Sequence, residues 1–200
     1  MQATSPAASA AEHPLTPAEL ELATLHLQQT RDAVVGALRG MSEAQWKFKP
    51  APGVWSIAEI AEHIVFVQER VLGMLRDQLP DAAPAPAGRD LELVDALIIN
   101  HFPNRLAKYP APEPLHPKGD CALPATLDRV KTNTRTLAEC LEWMPDLRDH
   151  VLESPPLKRV SKGEHTVMDG YQWILAASAH TERHTKQILE VRADPGFPAN

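Results

Sequence analysis

Four stretches of the chain repeat apolar residues at spacings of three and four with polar residues between them, and each predicts an amphipathic helix. The first opens at "TPAEL", with Thr16 as N-cap, Pro17 at the first helical position and Glu19 where a capping box needs it. Leu20, Ala23, Leu27, Val34 and Leu38 carry that helix to about Arg39, where Gly40 ends it. "SIAE" repeats the signature. Ser56 is the cap, Glu59 its reciprocal partner, and Ile57, Ile60, Ala61, Ile64, Val67, Val71, Met74 and Leu75 mark one stripe to about Gln78. A third helix runs from about Ala125 to Met144 with Leu127, Val130, Thr134, Leu137, Ala138 and Leu141 inward, and a fourth from roughly Val167 to Arg192, stopping before "DPGFP". "RDLELVDALIINHF" predicts a shorter helix between the second and third. No segment alternates with a period of two for long enough to demand a sheet, so the expected fold is all-α, a four-helix bundle with long Pro-rich connections.

The connections are unusual in length. Prolines and alanines break the pattern from Leu79 to Gly88, and six prolines fall between Pro103 and Pro124. An irregular stretch of that length inside a compact domain generally covers something, which makes 103–124 a candidate lid or dimer contact. The Ala-, Ser- and Pro-rich start predicts a disordered arm over 1–15, leaving 16–200 as a single domain. With 200 residues and 44% hydrophobic content, the chain suits one core.

A net charge of -6, with Lys and Arg scattered among acids, argues against nucleic acid as a partner. No apolar run is long enough for a membrane span, and the N-terminus lacks the basic start and apolar stretch of a signal peptide, so the expectation is a cytoplasmic protein. The two cysteines, Cys121 and Cys140, then read as free thiols.

Candidate chemistry lies in the histidines. On the fourth helix Trp173, Ala176, Ala177, His180, His184 and Gln187 share one face, so the two imidazoles project together, and the alanines before them leave room. Such a pair alone is either a partly exposed couple bonded to water or two metal ligands. His63 adds weight to the second reading. It lies on the inward stripe of the second helix beside Ile60, Ile64 and Val67, and three inward histidines on two helices each need a buried partner that one metal ion supplies at once. His26 falls on the outer side of the first helix, while His13, His116, His150 and His165 fall in the arm and polar connections; His101 is the remaining candidate pocket residue.

"WSIAEIAEHIVFVQERV" resembles the W-S-x-x-E-x-x-x-H element of the DinB-like (DinB/YfiT) superfamily of four-helix metalloproteins, and "HTERHTKQILEVRADPGFP" resembles their last helix and its tail. The resemblance spans roughly Leu20 to Pro198. It implies a metal site at His63, His180 and His184, an up-down-down-up bundle, a homodimer, and a divalent transition ion such as zinc or nickel. Relatives with known activity are S-transferases or isomerases using a low-molecular-weight thiol, and others are described as metal-dependent hydrolases.

Three neutral imidazoles leave at least one position open on a divalent ion, which can then activate water for hydrolysis or hold a thiolate ionised. The catalytic residues are not legible. Glu59 is the nearest carboxylate but reads first as a cap; Gln187 can orient a ligand from behind; Trp55 and Trp173 can wall a pocket. Arg183 points away from His180 and reads as an ion-pair partner. Two readings stay open: a metal-dependent enzyme acting on a small-molecule substrate by S-transfer or hydrolysis, and a non-catalytic metal-binding bundle with a structural or stress-related role.

Overall fold

The computed structural model describes residues 13–106 and 111–199. In chain order, Pro17–Leu38 forms α1, Glu43–Lys47 α2, Ile57–Asp77 α3, Leu91–His101 α4 and Leu123–Trp143 α5, followed by Pro155–Val160 as α6 and Gly170–Arg192 as α7. Three short strands join them: Ala83–Pro84 (β1), His150–Glu153 (β2) and Val167–Asp169 (β3). The four long helices lie where the apolar rhythm predicts them. Both predicted capping boxes are present, Thr16 with Glu19 and Ser56 with Glu59.

The strands correct the all-α expectation. β2 pairs antiparallel with β1 and with β3, Val151 lying opposite Ala83 on one side and Asp169 on the other. Segments of two to four residues are too short to show a period of two, and their pairing comes from three separate connections. The sheet also moves the start of α7. Residues 167–169 are extended, and Asp169 caps the helix in a capping box with Gln172. Short helices α2 and α6 lie in the connections between long helices, where no apolar rhythm predicts them. Of the predicted arm, residues 1–12 lie outside the described part of the chain. Residues 13–15 are already engaged, since the His13 backbone N–H donates to Asp149 and Leu15 packs on the core.

The long helices close a ring in which α1 touches α7 and α5, and α3 touches α5 and α7. Burial divides along the bundle axis, each end drawing on all four long helices. One apolar cluster joins Leu27, Leu75, Leu137, Leu147, Tyr171 and Leu175. The other joins Leu38, Trp46, Ile57, Ile64, Val130 and Ile188. Where the end of α3 meets the start of α7, a Cβ on Gly170 would come 2.6 Å from the Cδ2 atoms of both Leu79 and Leu147, so any larger residue would force these buried side chains to move.

A charged network locks the α7 start. Arg148 is buried and donates to Asp95 at 2.7 and 3.3 Å, Asp169 at 3.0 Å and Glu19 at 2.6 Å, and its guanidinium lies over the Tyr171 ring. Arg89 adds bonds to Asp169 and Gln172. Burial works against the Arg148 charge, but the bond to Asp95 and the charges of Asp169 and Asp95 outweigh it and hold the guanidinium protonated. Among the described residues, no helix is long and apolar enough to cross a membrane.

Candidate metal centre

The stripe that buries Ile60, Ile64 and Val71 on α3 also turns His63 inward, and the face of α7 that buries Ala177 and Ile188 turns His184 inward with His180 one turn before it. His63 is 4% exposed and His184 7%. His180 keeps part of its surface exposed. One ring nitrogen from each of the three lies within 4.8 Å of the others, and the Nε2 atoms of His63 and His180 are 3.2 Å apart. Two donors each about 2 Å from a shared tetrahedral ion would have that separation.

The outward nitrogens are equally informative. His63 Nδ1 donates to the Leu115 carbonyl at 2.8 Å, and His184 Nδ1 faces Gln187 Oε1 at 2.8 Å. With protons fixed on Nδ1, the Nε2 lone pairs of both rings face inward, the tautomer a metal needs. His180 Nδ1 is buried with no hydrogen-bond partner. All three rings are held neutral. Burial lowers the pKa of each; His184 falls to about 3, with His63, Arg183 and Arg105 adding to the effect, and His180 falls well below its ordinary value with help from His184, His63 and Arg183. Neutral imidazole lone pairs gathered in a buried space are a donor set suited to a divalent cation, and these residues fit one.

The other candidates divide. Trp55 belongs to the centre, its ring 5.0 Å from that of His63 and 6.4 Å from that of His184. Gln187 lies behind His184. Glu59 serves the cap and pairs with Lys49 at 2.7 Å, so its carboxylate is committed to structure. Trp173 packs with the core cluster around Leu175 and Tyr171, its Nε1 buried without a partner. Ala176 and Ala177 are buried in that same cluster, so their small side chains admit close helix packing and not an open space. His101 is exposed at the end of α4, outside the cluster. His26 lies in the seam between α1 and α7 against Ser178 and Glu182, contrary to its predicted outer position.

Three contributors were missed, all touching the Pro-rich segment. The Leu115 carbonyl acts through the backbone, which side-chain patterns cannot show. Arg105 donates to Gln187 Oε1 at 3.1 Å. Glu62, one residue before His63, accepts from the backbone N–H groups of Lys118 and Gly119 at 2.6 and 2.8 Å. Gly119 has a φ of +74° and lies so close to Glu59 that an added Cβ would meet its Cγ at 2.9 Å. The described parts of 103–124 therefore form the backing of the centre. A surface groove of about 620 Å³, lined in part by Asn100, Arg105, Glu182 and Lys186, lies between α4 and α7 and includes none of the three histidines.

Two helices of the bundle thus turn three neutral histidines toward one point, a donor set that could hold a divalent metal ion. The chain belongs to the DinB superfamily, whose family model matches residues 26–188. Its fold resembles that of YfiT from Bacillus subtilis, described as a probable metal-dependent hydrolase with an unusual four-helix bundle topology, at 12% identity with a TM-score of 0.56 over 98% of this chain and 95% of that one. None of the curated proteins compared with the chain matches it.

Proposed function

We propose that the protein is a metal-dependent enzyme acting on a small molecule, with zinc or nickel held by His63, His180 and His184. The convergence of three neutral imidazoles, two with Nδ1 already donating to a protein oxygen, carries this reading. When bound, the ion supplies Lewis acidity to an oxygen or sulfur at its open position. The chain's own residues do the rest. Leu115 and Gln187 hold the Nδ1 protons, and Trp55 packs against the rings of His63 and His184. Hydrolysis is the reaction the YfiT likeness favours, and S-transfer with a low-molecular-weight thiol is the alternative the same donors serve.

A second reading, a non-catalytic metal brace, draws support from the deep burial of His63 and His184. Elemental analysis of untagged protein beside the His180→Ala/His184→Ala variant tests the centre: about one equivalent of zinc or nickel, lost in the variant, is expected. Ester, amide and thiol-transfer assays on the loaded protein then separate enzyme from brace, and a loaded protein inert in all three would sink the enzymatic reading.

The same proposal takes 16–200 as one domain with an up-down-down-up course. Tyr171 bonds the Glu19 carbonyl and Arg192 the Ala37 carbonyl, which supports α1 and α7 running together. Cys121 against Ala58 supports α3 and α5 starting together. A cytoplasmic homodimer without nucleic acid completes it, with exposed Leu22, Leu25 and Leu189 supporting a second copy as partner.

A further inference from the structure

We propose that Arg105 is a positioning residue of the metal centre: acting through Gln187, it fixes the His184 proton on Nδ1 and keeps Nε2 free for the ion. The inference rests on the metal-binding reading above.

A neutral imidazole has two tautomers, and with Nε2 facing the cluster only the one protonated on Nδ1 is a ligand. For His63 the backbone makes the choice, because the Leu115 carbonyl can only accept. For His184 the partner is a primary amide. Its oxygen accepts and its nitrogen donates, so Gln187 alone serves either tautomer by turning over its terminal group. Arg105 removes that freedom. Its Nη1 lies 3.1 Å from Gln187 Oε1, and a guanidinium only donates, so the amide atom facing it must be oxygen. The same oxygen lies 2.8 Å from His184 Nδ1, which must therefore carry the proton.

Arg105 is itself held in place. Its Nε and Nη2 make parallel bonds to the Glu190 carboxylate at 2.8 and 2.7 Å, and the side chain is only 15% exposed. His184, Gln187 and Glu190 follow one another at intervals of three along α7, so the helix that carries the ligand also carries both acceptors that aim the guanidinium. Arg105 comes from just beyond α4, which ties the Pro-rich segment to the tautomer of His184. Were Arg105 only a tack holding that segment to α7, its effect would not depend on whether residue 187 is an amide or a carboxylate.

Four proteins decide the matter: wild type, Arg105→Met, Gln187→Glu and the double variant. Zinc affinity is read by competition with a chromophoric chelator, and the His184 tautomer by 15N NMR of the metal-free protein. Arg105→Met is expected to weaken zinc binding by about 10-fold or more and to populate the Nε2-protonated tautomer of His184. A carboxylate at 187 only accepts, so in the Gln187→Glu background the same change is expected to shift affinity by less than about 2-fold and to leave the tautomer on Nδ1. Unchanged affinity and tautomer in Arg105→Met would overturn the proposal. So would an equal loss in both backgrounds, which would mark Arg105 as a tack. If wild type binds no zinc, the metal reading fails, and the tautomers of the metal-free proteins still decide for or against Arg105.

Discussion

The bundle contains two buried polar clusters built on opposite principles. Around Arg148, charges of both signs meet and satisfy one another: the guanidinium has three carboxylates, and apart from Nε, which is buried without a partner, its donors are used. Around His63, His180 and His184 the groups are uncharged: the Nε2 atoms of His63 and His180 lie 3.2 Å apart, and His180 Nδ1 is buried with no protein partner. The first cluster is complete within the chain and acts as a lock between α1, α4 and the start of α7. The second, on the function proposed above, is completed by a metal ion. Burial and polarity alone do not separate a structural network from a site; whether the protein supplies the counter-groups does.

The difference makes opposite predictions for the two clusters. Arg148→Met leaves Asp95 buried without its cation and Asp169 with Arg89 alone, and is expected to destabilise the fold by about 3–5 kcal/mol, read from urea unfolding, while the folded fraction keeps its metal stoichiometry. Metal lost with stability intact would reverse the assignment of lock and site. At the histidines, an ion present at about 1,000 times its dissociation constant stabilises the native state by about 4 kcal/mol. Chelation should therefore lower the melting temperature of the loaded wild type and leave that of His63→Ala unmoved. A variant that still responds to the chelator would show that His63 is no ligand.

Acid separates the clusters further. The three histidines have lowered pKa values in the fold, with His184 at about 3, against about 6.5 when unfolded. Between these values the unfolded chain binds protons that the native state refuses. Stability of the metal-free protein is thus fully present above about pH 6.5 and falls as the pH drops toward 3, with His184 alone accounting for on the order of 2 kcal/mol by pH 5. Melting curves at pH 7 and pH 5 check this. His184→Asn should flatten the dependence, and an unchanged slope in that variant would mean that the buried imidazole is not its source.

The two clusters were not equally legible. The histidine site announces itself because its members sit on two strongly periodic helices, where helical geometry converts sequence spacing into a shared face; His63 is visible as an interruption of an apolar stripe. Arg148, Asp95, Asp169 and Glu19 come from four segments and meet only after the chain has folded, and only the cap roles of Glu19 and Asp169 have a local signature. The sheet was hidden for the same reason, its pairing partners being remote and its strands too short to show alternation. Leu115 and Arg105 lie in a stretch whose prolines signal irregular structure but carry no information about where its carbonyls and side chains point.

Glu62 gives the smallest and sharpest test, because it adjoins the histidines in sequence yet is satisfied in the manner of the Arg148 network. It precedes His63 on α3, is buried, and one of its carboxylate oxygens accepts two backbone N–H groups of the return limb, at Lys118 and Gly119. That limb continues from Leu115, whose carbonyl holds the His63 proton. In Glu62→Gln a neutral oxygen replaces the charged one at nearly the same place, and charge-assisted bonds become ordinary ones. A loss of about 1 kcal/mol in stability is expected, with metal affinity weakened by only a few-fold through a less firmly held Leu115. Differential scanning calorimetry with and without added zinc reads both effects. If Glu62→Gln instead loses the metal as completely as His63→Ala, the carboxylate is a ligand, the donor set is not neutral, and the division between a self-satisfied lock and a ligand-completed site no longer holds at this end of the bundle.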